Sequence, residues 1–146
     1  MNHIGKRLAL LLIAGFDAAT AVYGAIFVVP TMAREWILFG PFTDYTYPAL
    51  ALGFMVGGTA LLTAVAIIWR PWVGALTSML AGIVIVAFEL VEIAVVGLSV
   101  VVIGPDQFQS WLQIVYIGLG TAQVVLGYRL WLATAMTDSA MPHLLR

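Results

Sequence analysis

The sequence predicts an all-α, polytopic membrane protein: a four-transmembrane-helix bundle with both termini inside and a short interfacial segment between helices 1 and 2. Three observations carry that prediction. The chain has 146 residues, 63% of them hydrophobic and 9% charged, with a mean hydropathy of +1.08; soluble domains are roughly half apolar with about a quarter of their residues charged. Four apolar windows, 8–29, 48–69, 72 to about 98 and 108–132, are each long enough to cross a hydrocarbon core of about 30 Å as a helix. Basic residues and tryptophans collect at the ends of those windows. The whole chain, 1–146, reads as one transmembrane domain.

Helices are expected because the runs are continuously apolar, whereas strands of a transmembrane barrel alternate. Lys6-Arg7 precede the first window and Pro30 closes it. Lys6-Arg7, LALLLIAGF and Ala19-Thr20-Ala21 imitate a secretory signal, but the apolar run continues through Val29, which favours a retained span. Asp44 or Thr46 caps the second helix, and Arg70-Pro71 makes a tight connection that turns the second and third spans into a hairpin. Gly104-Pro105-Asp106 turns into the fourth. An N-in arrangement places Lys6, Arg7, Arg70, Arg129 and Arg146 in the cytoplasm and Arg34 alone outside. Trp69, Trp72 and Trp131 then fall at the inner interface, Trp36 and Trp111 at the outer one.

Composition excludes several chemistries. With no cysteine there are no disulfides, thiol nucleophiles or thiolate metal sites, and both histidines, His3 and His143, lie in the tails, so no imidazole reaches membrane depth. No redox cofactor and no dedicated metal site is expected. Net charge is −1 without a basic tract, which disfavours nucleic acid as a partner. The expected partner is the lipid bilayer itself.

Acids supply the candidate site. Glu89 and Glu92 are set into AGIVIVAFELVEIAVVGLSVV, residues 81–101, and Asp17 lies near the middle of the first span. A carboxylate at mid-membrane costs about 2.5–3.5 kcal/mol, so Asp17 and Glu89 are expected to face the bundle interior. No Lys or Arg lies at that depth to neutralise them. They are therefore protonated, hydrogen-bonded to polar neighbours, or paired with a cation from outside. Glu92, one turn further out, has the outer headgroups as an alternative.

Helical spacing names the neighbours. Asp17 shares a face with Thr20 and Gly24; Ser78, Gly82, Glu89 and Glu92 form a stripe on the third span. On the fourth, Gln113, Tyr116, Gly120, Gln123 and Gly127 follow 3-4-3-4 spacing and make one polar and small-residue seam. Ala49, Gly53, Gly57, Ala60 and Ala64 form a small-residue stripe on the second, suited to close helix packing or to a homo-oligomer through Gly53 and Gly57. The plainer alternatives are structural: Glu89 bonded to Gln123 or Tyr116, Asp17 tied to Thr20, Asp44 acting only as a helix cap.

Residues 30–47, PTMAREWILFGPFTDYTY, form the one long connection, and Trp36-Ile37-Leu38-Phe39 is expected to lie in the interface. Asp44 and Tyr45 are the candidate gate residues of this loop. Pro41-Phe42-Thr43-Asp44-Tyr45, followed by Pro48 and Leu50, resembles a Pro-Phe-x-Asp-Tyr segment in a family of small, uncharacterised bacterial four-helix inner-membrane proteins. Ala49 stands where that family usually has glycine. The resemblance implies the four-helix fold and a bacterial inner-membrane location, and it implies no activity.

Three functions fit this pattern. The first is a polar intramembrane pocket that binds a proton, a metal cation or a lipophilic organic cation, in transport or sensing. The second is an enzyme on a lipid-soluble substrate, with Glu89 as general acid or base, Asp17 stabilising a cationic intermediate and Tyr116 an auxiliary donor. The third is a non-catalytic subunit of a larger membrane assembly. Thr20, Gln113, Tyr116 and Gln123 complete the candidate ligand set around Asp17, Glu89 and Glu92.

Overall fold

A computed structural model of the chain describes residues 3–29, 44, 46–96 and 107–140, and is helical throughout those segments apart from Asp44 and Arg70. Helix α1 (His3–Tyr23) continues into a π-helical turn, Gly24–Val28. The second rod is composite: α2 (Thr46–Leu50), a π-helical stretch Ala51–Gly57, and α3 (Gly58–Trp69). Helices α4 (Pro71–Val96) and α5 (Gln107–Ala140) are the third and fourth rods. The expected interfacial segment, Tyr45, and the turn at Gly104-Pro105-Asp106 lie outside the described residues.

The four rods stand in a ring in chain order. The third packs on the fourth, the second on both the first and third, and the first on the fourth, while the first and third meet only sparsely. Three of them, over His3–Phe27, Thr46–Trp69 and Pro71–Ala94, are long and apolar enough to cross a membrane. The fourth, expected to span as well, does not join them over its described residues. Its seam holds the Gln113, Tyr116 and Gln123 side chains, which lower its mean hydropathy, and it turns those groups inward: Gln113, Gly120, Gln123 and Gly127 are all buried.

Polarity is inverted relative to a soluble bundle. Phe16, Phe54, Leu62, Ile83, Leu90 and Ile114 are exposed on the exterior, whereas Asp17, Thr63, Ser78, Glu89, Gln113 and Gln123 are buried. Such an arrangement is stable when the surroundings are as apolar as the outer faces.

The first helix begins five residues before the expected span, and the fourth runs to Ala140 rather than ending near 132. Lys6 and Arg7 account for the early start. Arg7 Nη2 donates to the Ile67 carbonyl oxygen at 3.1 Å and Lys6 Nζ to that of Arg129 at 3.5 Å, so both cations are tied to neighbouring helices. With Arg70 at the hairpin, the described basic side chains other than His3 all gather at one end of the bundle.

At that hairpin Arg70 N–H donates to Ala66 O at 2.8 Å and Gly74 N–H to Arg70 O at 2.9 Å. A Cβ on Gly74 would lie 2.6 Å from Ile67 Cα, so the close approach of the two rods requires glycine there. At the opposite end of the second rod Asp44 Oδ1 accepts the Thr46 N–H at 2.9 Å, the expected cap.

Candidate functional site

Asp17 is fully buried, and its carboxylate Oδ2 accepts a hydrogen bond from Gln123 Nε2 of the fourth rod. The partner differs from the structural pairings read in the sequence. Gln123 serves Asp17 rather than Glu89, and Thr20 does not reach the Asp17 carboxyl, because its hydroxyl donates to the backbone carbonyls of Phe16 (2.8 Å) and Asp17 (3.3 Å). A threonine one turn on in a helix commonly bonds back to its own backbone in this way.

The fourth rod comes this close because of its glycines. A Cβ on Gly82 would overlap the Gly120 carbonyl oxygen, and one on Gly120 would sit 2.8 Å from that of Gly82. One turn or two nearer the basic end, a Cβ on Gly127 would lie 2.8 Å from Ala75 O. Ser78 Oγ, between these contacts, donates to Gln123 O at 3.1 Å and fixes the backbone that carries the Gln123 amide. Seam and stripe thus meet, and their contact aims Gln123 across the bundle at Asp17.

Beyond the glycine crossing the polar line continues. Tyr116 is half-buried, packs against the cluster of Ala21, Val56 and Ile85, and lies in the neighbourhood of Thr20, Asp17 and Glu89. Glu89, 5% exposed, interacts in turn with Glu92. Gln113 Nε2 donates to Glu92 Oε1 at 3.3 Å, holding Glu92 against the fourth rod. The three acids expected from the sequence therefore share one seam with Tyr116, Thr20, Gln113 and Gln123. Tyr45 lies outside the described residues, and Asp44 caps a helix.

Two polar atoms in this seam are buried without a partner: Asp17 Oδ1 and Gln123 Oε1. An unpartnered buried acceptor costs about 1–3 kcal/mol. Both orphans belong to one acid–amide pair. A proton on the acid adds the donor that such a pair lacks, since a protonated carboxyl has one O–H donor while keeping its acceptor.

Gly53 and Gly57 are spent within the chain. Added Cβ atoms there would lie 3.2 Å from Ala25 Cβ and 3.1 Å from Val22 Cγ2 on the first rod. Residues that sequence reasoning passed over are Gly74, whose signal was a small residue three positions after the hairpin proline, and Thr63, a buried hydroxyl bonded to Thr59 O at 2.9 Å.

Comparison with protein-family models, with curated proteins and with solved structures finds no match. The geometry of the seam is the ground for a functional reading.

Proposed function

We propose that this chain is a four-span membrane protein whose interior carboxyls, Asp17 and Glu89, bind a proton within the bundle, in sensing or in proton-linked transport. One observation carries the reading. Asp17 is wholly buried beside an amide, with no basic side chain of the described residues at its level, and both the acid and the amide keep an unpartnered acceptor. Among the ligands a buried acid accepts, a proton alone needs no cavity and satisfies that pair. Among the described residues no group of three or more Asp, Glu or His has the arrangement to hold a metal ion, and Ala21, Val56 and Ile85 pack into a buried apolar cluster with Tyr116 against it.

Membrane insertion with both termini inside is supported by the apolar exterior and by Lys6, Arg7, Arg70 and Arg129 at one end of the bundle. Trp69, Trp72 and Trp131, exposed at that same end, suit an interfacial belt. A bacterial inner membrane is the location that the Pro41–Tyr45 resemblance implies.

The test is a pH titration of the purified chain in lipid nanodiscs, followed through the infrared C=O band of protonated carboxyls. Wild type is expected to show two titrating components inside the protein, of which Asp17→Asn removes one and Glu89→Gln the other. Identical titrations for wild type and both variants would end the proposal.

A further inference from the structure

We infer that the basic end of the bundle binds an anionic phospholipid, with an acyl chain in an open groove between the first and second rods and the phosphate on Arg7. Such a site requires the chain to span a membrane, as read above, and is independent of the acids in the seam. The groove has a volume of about 250 Å³ and is lined by Ile4, Arg7, Leu8, Leu11, Ile67 and Ile68.

The spacing of those residues makes the groove. Ile4, Arg7, Leu8 and Leu11 follow i, i+3, i+4, i+7 and form one face of α1; Ile67-Ile68 stand near the end of α3, beside the hairpin. Ile67 and Leu11 also pack with Leu10, Ala75 and Leu130, which gives the groove a solid apolar floor. Its walls are uncovered: Ile4, Leu8 and Ile68 are 75%, 54% and 59% exposed. From Ile4 to Leu11 the face runs about 10 Å at the helical rise, enough for the upper part of an acyl chain. In a bilayer, hydrocarbon is what fills an outward-open apolar groove.

Arg7 selects the head. Of the five N–H donors of a guanidinium, the Nη2 contact with the Ile67 carbonyl oxygen uses one, and it holds the group at the groove. Among the described residues no carboxylate pairs with it. Asp17 is bonded to Gln123, Asp44 caps the far end of the second rod, and Glu89 and Glu92 lie on the far half of the third. Arg70, exposed two residues after Ile68, adds a second cation at the same end. A phosphodiester is the anion that the planar fork of arginine matches with two parallel hydrogen bonds. A zwitterionic lipid would bring an ammonium too, for which no described carboxylate is at hand; an anionic one brings none, and basic sites between membrane helices favour such heads.

Native mass spectrometry of the full chain, delipidated in detergent and titrated with phosphatidylglycerol or with phosphatidylcholine of identical chains, tests the site. Phosphatidylglycerol is expected to bind about tenfold more tightly, the scale of one charge-assisted contact. Arg7→Gln, which keeps a donor for Ile67 O, is expected to abolish that preference. Leu8→Trp, which fills the groove from an exposed position, is expected to weaken both lipids, and Arg129→Gln, on the fourth rod away from the groove, to keep the preference. Equal affinities in wild type, a preference intact in Arg7→Gln or lost equally in Arg129→Gln, or unaltered binding in Leu8→Trp would overturn the assignment. Displacement of phosphatidylglycerol by inorganic phosphate would overturn it as well, since an ion site has no use for the groove.

Discussion

Asp17 and Gln123 concentrate the energetics of the interior at the residue scale. Interhelical hydrogen bonds in membranes are worth about 1 kcal/mol, because polar groups find other partners when the helices separate. The cost of breaking this one falls on the group left behind. Gln123→Leu leaves a buried acid with no partner and is expected to destabilise the bundle by about 1–3 kcal/mol. Asp17→Leu combined with Gln123→Leu removes both polar groups and is expected to recover most of that loss, since an apolar pair of similar size has nothing to satisfy. Denaturation of the folded bundle by titrated detergent measures both; a double variant as unstable as the single one would refute the pairing. The sequence placed both residues inside, because each lies on a polar face of an apolar helix. It could not pair them. The choice between Asp17 and Glu89 as the partner of Gln123 depends on how far the fourth rod slides along its neighbours, and that register is set by glycine contacts no single helix displays.

Those contacts are the element-scale story. Ala75 with Gly127 and Gly82 with Gly120 bring the third and fourth rods together backbone to backbone, so each glycine stands where any side chain would meet a carbonyl oxygen. Gly82→Ala and Gly120→Ala are expected to push the rods apart, displace Gln123 from Asp17, and lower the thermal midpoint sharply. Gly118→Ala is the control: a Cβ there meets nothing, so relief of backbone entropy should leave stability unchanged or raise it by up to about 1 kcal/mol. Equal losses at all three positions would mean that the crossing is not the cause. The 3-4-3-4 spacing of Gln113, Tyr116, Gly120, Gln123 and Gly127 made the seam legible in the sequence. The π-helical turns at Gly24–Val28 and Ala51–Gly57 were not, because apolar runs carry no sign of the added residue per turn. These two segments pack on each other, with Gly24 against Leu52 and Gly53 against Ala25, so the widening is shared across an interface.

For the molecule as a whole, the seam gives the bundle a direction, and the charges decide how that direction lies in the membrane. The basic end holds Lys6, Arg7, Arg70 and Arg129, and the Gln113–Glu92 contact lies toward the other. An N-in orientation would turn Glu92 toward the exterior. The gathering of cations at one end was legible in the sequence because counts of Lys and Arg need no tertiary knowledge; the docking of Lys6 on Arg129 and of Arg7 on Ile67 needs the fold. Removing the first two cations separates the roles. Lys6→Gln with Arg7→Gln still leaves Arg70, Arg129 and Arg146 against Arg34, so orientation should hold while stability falls by about 1 kcal/mol for the hydrogen bonds weakened. Adding Arg70→Gln and Arg129→Gln leaves one basic residue per side and should give a mixed population. Because the chain has no cysteine of its own, one appended after Arg146 reports sidedness cleanly to a membrane-impermeant maleimide. Uniform N-in labelling in the quadruple variant would show that the charges do not set the orientation.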